Sequence, residues 1–101
     1  MSDDGARILV VEDDRGIATM LERGLRLAGH RVTLAAGVGE ARTAWVAEPF
    51  DLVLLDVMLP DGDGIELLAE RRAAGDEVPA VLLTAREEGE LHERADRAGA
   101  T

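Results

Sequence analysis

The sequence contains no cysteine and no lysine, and aromatic residues make up only 2% of it. Without cysteine, neither a disulfide framework nor a thiolate metal site can form. So few aromatic rings leave little surface on which a flavin or a nucleobase could stack. No apolar run is long enough to cross a bilayer, and residues 1–5 lack the basic and apolar regions of a secretory signal. These absences predict a cytoplasmic protein that does not contact a membrane.

Basic residues are also scarce: eleven of them, all arginine, stand against twenty-one acidic residues and give a formal net charge of −10. A surface that binds nucleic acid needs an excess of cations to displace the counterions of the phosphates. We therefore expect no direct contact of this domain with nucleic acid. The length of 101 residues corresponds to one domain, and the hydrophobic fraction of 47% is sufficient for one packed core.

Short apolar runs alternate with segments of helical periodicity along the chain. The runs predict strands at 8–11, 32–34, 52–55 and 80–84. Asp14 is the predicted N-cap of the first helix, Gly29 its stop, and Pro49 ends the second helix, which spans 40–47. The apolar positions of the four helices are Ile17, Met20, Leu21 and Leu25; Ala41, Ala44 and Trp45; Ile65, Leu67 and Leu68; Leu91, Ala95 and Ala98.

This alternation predicts an α/β fold with a doubly wound parallel sheet, helices on both of its faces and right-handed crossovers. In open sheets of this kind, ligands bind beyond the carboxyl ends of the strands. The residues that follow those ends are Glu12 and Asp13, Asp56, and Thr84. The functional site is therefore expected at this edge of the sheet.

Three of these residues are acidic, and like charges a few ångströms apart cannot all remain ionised unless one pKa rises or a cation binds. Oxygen ligands without cysteine or a nearby histidine favour Mg²⁺ or Mn²⁺ over Zn²⁺. Mg²⁺ commonly combines one or two carboxylates with the phosphate of a substrate, and a carboxylate can itself be the nucleophile that accepts a phosphoryl group. The cluster thus predicts a site that handles phosphoryl groups.

Four motifs occur in a fixed order: LVVEDD at 9–14, LLDVMLP at 54–60, DG at 63–64 and VPAVLLTA at 78–85. Together they resemble the receiver domain of two-component response regulators, without a gap from Arg7 to Ala100. The sequence is most similar to the branch in which the receiver precedes a winged-helix DNA-binding domain. The resemblance implies a flavodoxin-like (CheY-like) three-layer sandwich and assigns residues 1–101 to the receiver domain.

The resemblance also implies a set of metal ligands around a phospho-acceptor. Asp56 would accept the phosphoryl group, and Asp13 would ligate Mg²⁺ directly. Glu12 would hold the ion partly through water, and the main-chain carbonyl of Met58 would supply a further ligand. Such a domain is not an enzyme acting on an external substrate, although it assists its own phosphorylation and dephosphorylation.

Further implied contacts concern the phosphoryl group and the partners. The Thr84 hydroxyl would move toward the bound phosphoryl group, and the Ala85 N–H would help to hold it. The donor would be a phosphohistidine on a sensor histidine kinase or a phosphotransfer protein. A homodimer through the side formed by the fourth strand and the fourth helix is a further expected partner.

The sequence departs from the family pattern near its end. The family has a lysine and an aromatic residue on a fifth strand, and by ungapped spacing both would fall beyond Thr101. The chain contains no lysine or tyrosine, and its single phenylalanine, Phe50, lies elsewhere. We therefore expect a receiver that lacks the fifth strand and last helix, and favour truncation over a degenerate receiver.

Two other functions are compatible with parts of the pattern. A pseudo-receiver would dock partners without phosphorylation, and a Mg²⁺-dependent phosphatase would act on an external substrate but needs a second acid or base after Asp56. A calcium loop starting at Asp61 is disfavoured because its twelfth position is Arg72 rather than glutamate. A turn followed by the start of a helix is predicted at 61–64 instead. Among the remaining residues, Trp45 is predicted to pack in the core, and His30 and His92 to be exposed and without function.

Overall fold

A computed structural model describes residues 5–83 and Gly99. The predicted fourth helix and the predicted phosphoryl contacts Thr84 and Ala85 lie outside the described residues. The strands are β1 (Arg7–Val11), β2 (Arg31–Ala35), β3 (Leu52–Leu55), β4 (Met58–Leu59), β5 (Gly62–Asp63) and β6 (Ala80–Leu82), and the helices are α1 (Arg15–Leu27), α2 (Val38–Ala47) and α3 (Gly64–Ala73). None of these helices is long and apolar enough to span a membrane.

Four strands form one parallel sheet in the order β2-β1-β3-β6. The chain moves outward from β1 to β2 and then returns past β1 to β3, so the strand order reverses between β1 and β3. Such a reversal opens a crevice at the carboxyl ends of the strands, where open α/β sheets bind their ligands. The predicted doubly wound sheet is confirmed.

The sheet is buried on both faces because the side chains of each strand alternate between two apolar layers. Leu9 and Val11 of β1 face a cluster that also contains residues of α2 and α3, whereas Ile8 and Val10 face a cluster with α1. Trp45 belongs to the first cluster and is 3% exposed, as predicted. Helices therefore cover both faces, which gives the three-layer sandwich.

The helix ends follow the predicted signals closely. The Asp14 carboxylate caps α1 by accepting a hydrogen bond from the Ile17 N–H at 3.0 Å. After α1 the chain turns at Gly29, whose φ of +96° is a conformation that favours glycine. Helix α2 ends at Ala47, ahead of Pro49. Each of these three signals is local, and each was readable from the sequence.

Several predicted details differ from the structure. Helix α2 begins at Val38 rather than at residue 40. The turn-rich stretch after Asp56 contains the short antiparallel hairpin β4–β5, and β6 ends at Leu82 within the described residues. The prediction that His30 is exposed and idle was wrong, because the residue is half-buried and its Nδ1 accepts a hydrogen bond from the Ala6 N–H at 2.9 Å. This bond joins the segments that lead into β1 and β2.

Candidate metal centre

The acidic residues are brought together by the register of β1 and β3. Val11, the last residue of β1, lies beside Leu55, the last residue of β3. The hydrogen-bond ladder continues one step further, since the Asp56 N–H donates to the Val11 carbonyl at 2.9 Å. Glu12 and Asp56 therefore leave the sheet next to each other, as the parallel pairing predicted.

Glu12, Asp13 and Asp56 each offer a carboxylate oxygen, and the three oxygens lie within 4.8 Å of one another. Glu12 is buried, with 6% exposure, whereas Asp56 is half-buried and Asp13 is exposed. The Glu12 Oε2 also accepts a hydrogen bond from the Asp14 N–H at 3.1 Å, which holds this carboxylate over the start of α1. The cluster is therefore buried at Glu12 and open to solvent at Asp13.

The electrostatics of this cluster are unfavourable in the absence of a cation. Burial raises the pKa of the Glu12 carboxyl above its ordinary value of 4.5, and the charge of Asp56, a hydrogen bond with Asp56 and the charge of Asp13 raise it further. The hydrogen bond from the Asp14 N–H opposes this shift. A buried acid that resists ionisation beside two other acids marks a place where a positive charge would be stabilised.

The donor set fits a hard divalent cation. All three donors are carboxylate oxygens, and Mg²⁺ takes oxygen ligands and retains several waters, for which the exposed side at Asp13 leaves access. Met58, whose main-chain carbonyl is a predicted ligand, follows closely after Asp56, and its N–H lies 3.4 Å from Asp56 Oδ1. The ligand role of the Met58 carbonyl stays a prediction.

The loop after Asp56 is folded back tightly on itself. The Gly64 N–H donates to the Val57 carbonyl at 2.8 Å, and a Cβ on Gly64 would collide with the Asp56 carbonyl oxygen, so only glycine permits this approach. The Asp63 carboxylate caps α3 by accepting from the Ile65 N–H at 2.7 Å. The predicted turn and helix start at 61–64 is therefore confirmed, and it fixes the loop close to the acidic cluster.

Sequence reasoning missed one residue of this loop. The sequence indicates a turn residue or, less favourably, a calcium ligand at Asp61, yet the Asp61 carboxylate accepts hydrogen bonds from the N–H groups of Val38 and Gly39 at the start of α2. A signal existed in Gly37, the N-cap of α2, which has no side chain with which to cap the helix. The sequence did not indicate which distant residue would do so.

A parallel sheet of this strand order, with three carboxylates beside its point of reversal, defines a flavodoxin-like α/β domain with an acidic site. The model of the response regulator receiver domain family matches residues 8–101. The chain belongs to this family, and the predicted family and CheY-like fold are confirmed.

Curated relatives match only part of their own length. The swarming motility regulation protein RssB of Serratia marcescens is 44% identical over 80 residues, which are 79% of this chain and 36% of that protein. The response regulator MprA of Mycolicibacterium vanbaalenii is 43% identical over 81 residues, or 80% of this chain and 35% of that protein. The chain therefore spans about a third of the length of these relatives.

Among solved structures, the CheY-like receiver domain protein of Methanospirillum hungatei superposes with a TM-score of 0.90 at 32% identity and covers 96% of this chain and 78% of that one. The non-phosphorylated receiver domain of HemR from Leptospira biflexa superposes with a TM-score of 0.84 at 38% identity, covering 93% and 76%. At these identities the likeness extends to sequence as well as to fold.

Proposed function

We propose that this domain accepts a phosphoryl group on the Asp56 carboxylate and acts as the switch of a two-component response regulator. The observation that carries the proposal is the cluster of Glu12, Asp13 and Asp56 oxygens within 4.8 Å at the carboxyl ends of adjacent strands. Receiver-domain family membership supports the same reading. A module that only docked partners would have no use for a buried carboxylate whose ionisation is made costly by two neighbouring carboxylates.

Each residue has a distinct part in the proposed reaction. Glu12, Asp13, Asp56 and the main-chain carbonyl of Met58 would hold Mg²⁺, which when bound would offset the negative charge of the cluster and of an incoming phosphoryl group. Glu12 is rigidly placed by its burial and its bond from the Asp14 N–H. Asp56 is the residue of the cluster that combines partial exposure with a backbone fixed by β1.

In the transfer step, one Asp56 carboxylate oxygen bonds to phosphorus as the bond between phosphorus and the donor's imidazole nitrogen breaks. The leaving imidazole keeps the electron pair and takes up a proton. Phosphoryl transfer needs little covalent assistance, so positioning and charge neutralisation carry the reaction. Thr84 and the Ala85 N–H, which lie beyond the described segment, would contact the phosphoryl oxygens afterwards.

The proposal extends to the whole protein through its partners. The donor is a sensor histidine kinase or a phosphotransfer protein, and the output is control of transcription by a separate domain. Two relatives, of which the chain spans about a third, are named as a response regulator and as a regulation protein for swarming motility, which supports a regulatory output. The strong negative charge of the domain leaves nucleic-acid contact to the output domain. The proposal also includes a cytoplasmic location and a homodimer through the side formed by the fourth strand of the sheet, β6, and the predicted fourth helix.

The test is to incubate the chain with Mg²⁺ and acetyl phosphate and to determine its mass. We expect one added phosphoryl group that is lost in Asp56→Asn and on removal of Mg²⁺. Asp51→Asn is the matched control, since Asp51 precedes β3 at the opposite edge of the sheet and accepts a hydrogen bond from the Arg7 N–H there. Unmodified wild-type chain, or equal modification of Asp56→Asn, would refute the proposal and favour a docking module.

A further inference from the structure

Helix α2 is capped by a residue from another part of the chain. Its N-cap is Gly37, and no side chain of its own first turn caps the N–H groups of Val38 and Gly39. Both donate instead to Asp61, at 2.7 Å to Oδ1 and 3.0 Å to Oδ2. The two partners are 23 and 22 residues apart in sequence, so these bonds fix a tertiary arrangement as well as a helix end.

The contact is closely fitted on both sides. A Cβ on Gly37 would lie 2.7 Å from Asp61 Oδ1, and a Cβ on Gly62 would lie 2.9 Å from a methyl group of Val38. Val38 itself is buried in the core. The hydrogen bonds from Gly39 and Val38 lower the pKa of the Asp61 carboxyl below its ordinary value, so the carboxylate is ionised in its bond to the helix at neutral pH.

Asp61 lies at the tip of the hairpin that follows the acceptor. Strands β4 and β5 pair Met58 with Asp63 and Leu59 with Gly62, which leaves Asp61 in the turn between them. The base of the hairpin is held by the bond from the Gly64 N–H to the Val57 carbonyl. The two hydrogen bonds that Asp61 accepts from Val38 and Gly39 attach the tip of the hairpin to helix α2.

We propose that Asp61 is a positioning residue that fixes the β4–β5 hairpin, and with it the Met58 carbonyl, relative to the acidic cluster by fastening the hairpin tip to the N-terminus of α2. The inference rests on the proposed function in so far as the Met58 carbonyl serves as a metal ligand. It adds a residue outside the predicted ligand set on which metal affinity depends.

Asp61 could act only as the cap of α2, or also as the tether that holds the hairpin tip. A double variant separates these two roles. Asp61→Ala removes both the helix cap and the tether. Gly37→Ser in the Asp61→Ala background supplies a local N-cap of the preferred type, and the collision of its Cβ with Asp61 no longer arises. The double variant therefore restores the helix end without restoring the tether.

The first readout is amide hydrogen exchange of the Gly64 N–H and the hairpin amides in the metal-free chain of 101 residues. We expect exchange to be about tenfold faster in Asp61→Ala, the factor that loss of a hydrogen bond to a charged group carries in a local opening equilibrium. Exchange should stay fast in the double variant although the urea midpoint recovers. Glu70→Gln is the control, because it weakens the bidentate contact of α2 with α3 through Arg42 and leaves both hydrogen bonds of the Asp61 carboxylate in place.

The second readout is the Mg²⁺ dissociation constant by calorimetry. We expect it to rise roughly tenfold in Asp61→Ala and in the double variant, the lower end of what outer-shell partners contribute, and to be unchanged in Glu70→Gln. Should Asp61→Ala fail to fold, Asp61→Asn keeps one acceptor oxygen and is expected to show a smaller change in the same direction.

The outcomes separate the two proposals. Wild-type exchange rates at the hairpin in Asp61→Ala, or their return in the double variant, would overturn the positioning role. An unchanged Mg²⁺ dissociation constant in a chain whose hairpin exchanges faster would overturn the link to the Met58 carbonyl. Absence of Mg²⁺ uptake by the wild-type chain would instead refute the proposed function, and the exchange rates would still decide whether Asp61 fixes the loop.

Discussion

Replacing Asp56 by asparagine should stabilise the metal-free protein, although it destroys the proposed acceptor. The substitution preserves the shape of the side chain and removes one of three carboxylates whose oxygens lie within 4.8 Å. Two unit charges at that distance repel each other by about 0.9 kcal/mol in water and about 3.5 kcal/mol at an effective dielectric constant of 20. Because Asp13 is exposed and the pKa of Glu12 is already raised, the lower part of this range applies.

We therefore expect Asp56→Asn to raise the free energy of unfolding by about 1–2 kcal/mol in EDTA. Mg²⁺ should reverse the order, since a ligand at 100 times its dissociation constant stabilises the native state by about 2.7 kcal/mol, and the variant has lost part of the binding site. The assay is urea unfolding followed by the fluorescence of Trp45, the only tryptophan, in each buffer.

Asp51→Asn is the matched control for this experiment, because Asp51 is exposed and precedes the same strand at its other end. Its effect on unfolding should be equal in EDTA and in Mg²⁺. The electrostatic reasoning would be refuted if Asp56→Asn were no more stable than the wild type in EDTA, or if Mg²⁺ stabilised both proteins equally.

Three further predictions concern residues around the site and the core. Gly64→Ala places a Cβ against the Asp56 carbonyl, so acetyl phosphate should no longer modify the chain, as judged by mass, while circular dichroism still reports a folded sheet. Asp76→Ala removes the acceptor of the Trp45 Nε1–H bond at 3.0 Å and of the Val78 N–H bond; urea unfolding should show a loss of about 1–3 kcal/mol, with a smaller loss in Asp76→Asn. Folding lowers the pKa of the Asp61 carboxyl, so the contribution of this carboxylate to stability is present above its ordinary pKa of 3.8 and is lost as the pH falls through the lower pKa of the folded state. The difference in the free energy of unfolding between wild type and Asp61→Asn should therefore shrink as the pH is lowered below 3.8. A difference that stays constant would contradict the assignment.

Much of the site was predictable because parallel pairing converts sequence position into spatial position. Two apolar runs that each end in a carboxylate must present those carboxylates at the same edge if their strands are neighbours and in register. The bond from the Asp56 N–H to the Val11 carbonyl shows this register directly. The convergence of Glu12, Asp13 and Asp56 follows from it.

The features that the sequence did not reveal depend on contacts between distant segments. Helix α2 begins at Val38, where Asp61 caps it from 23 residues away in the sequence. A local sequence pattern does not indicate a cap at that distance. The β4–β5 hairpin pairs only four residues and has no apolar alternation by which a strand is recognised. His30 was misjudged for the same reason, because its partner is the distant Ala6 N–H.

The central claim is that Glu12, Asp13 and Asp56 coexist by sharing a divalent cation, and calorimetric titration of the full chain with Mg²⁺ tests it most directly. We predict uptake of one ion per chain, with affinity reduced at least about tenfold in Asp13→Asn and unchanged in Asp51→Asn. No uptake by the wild-type chain, or uptake that Asp13→Asn leaves unaltered, would contradict the claim.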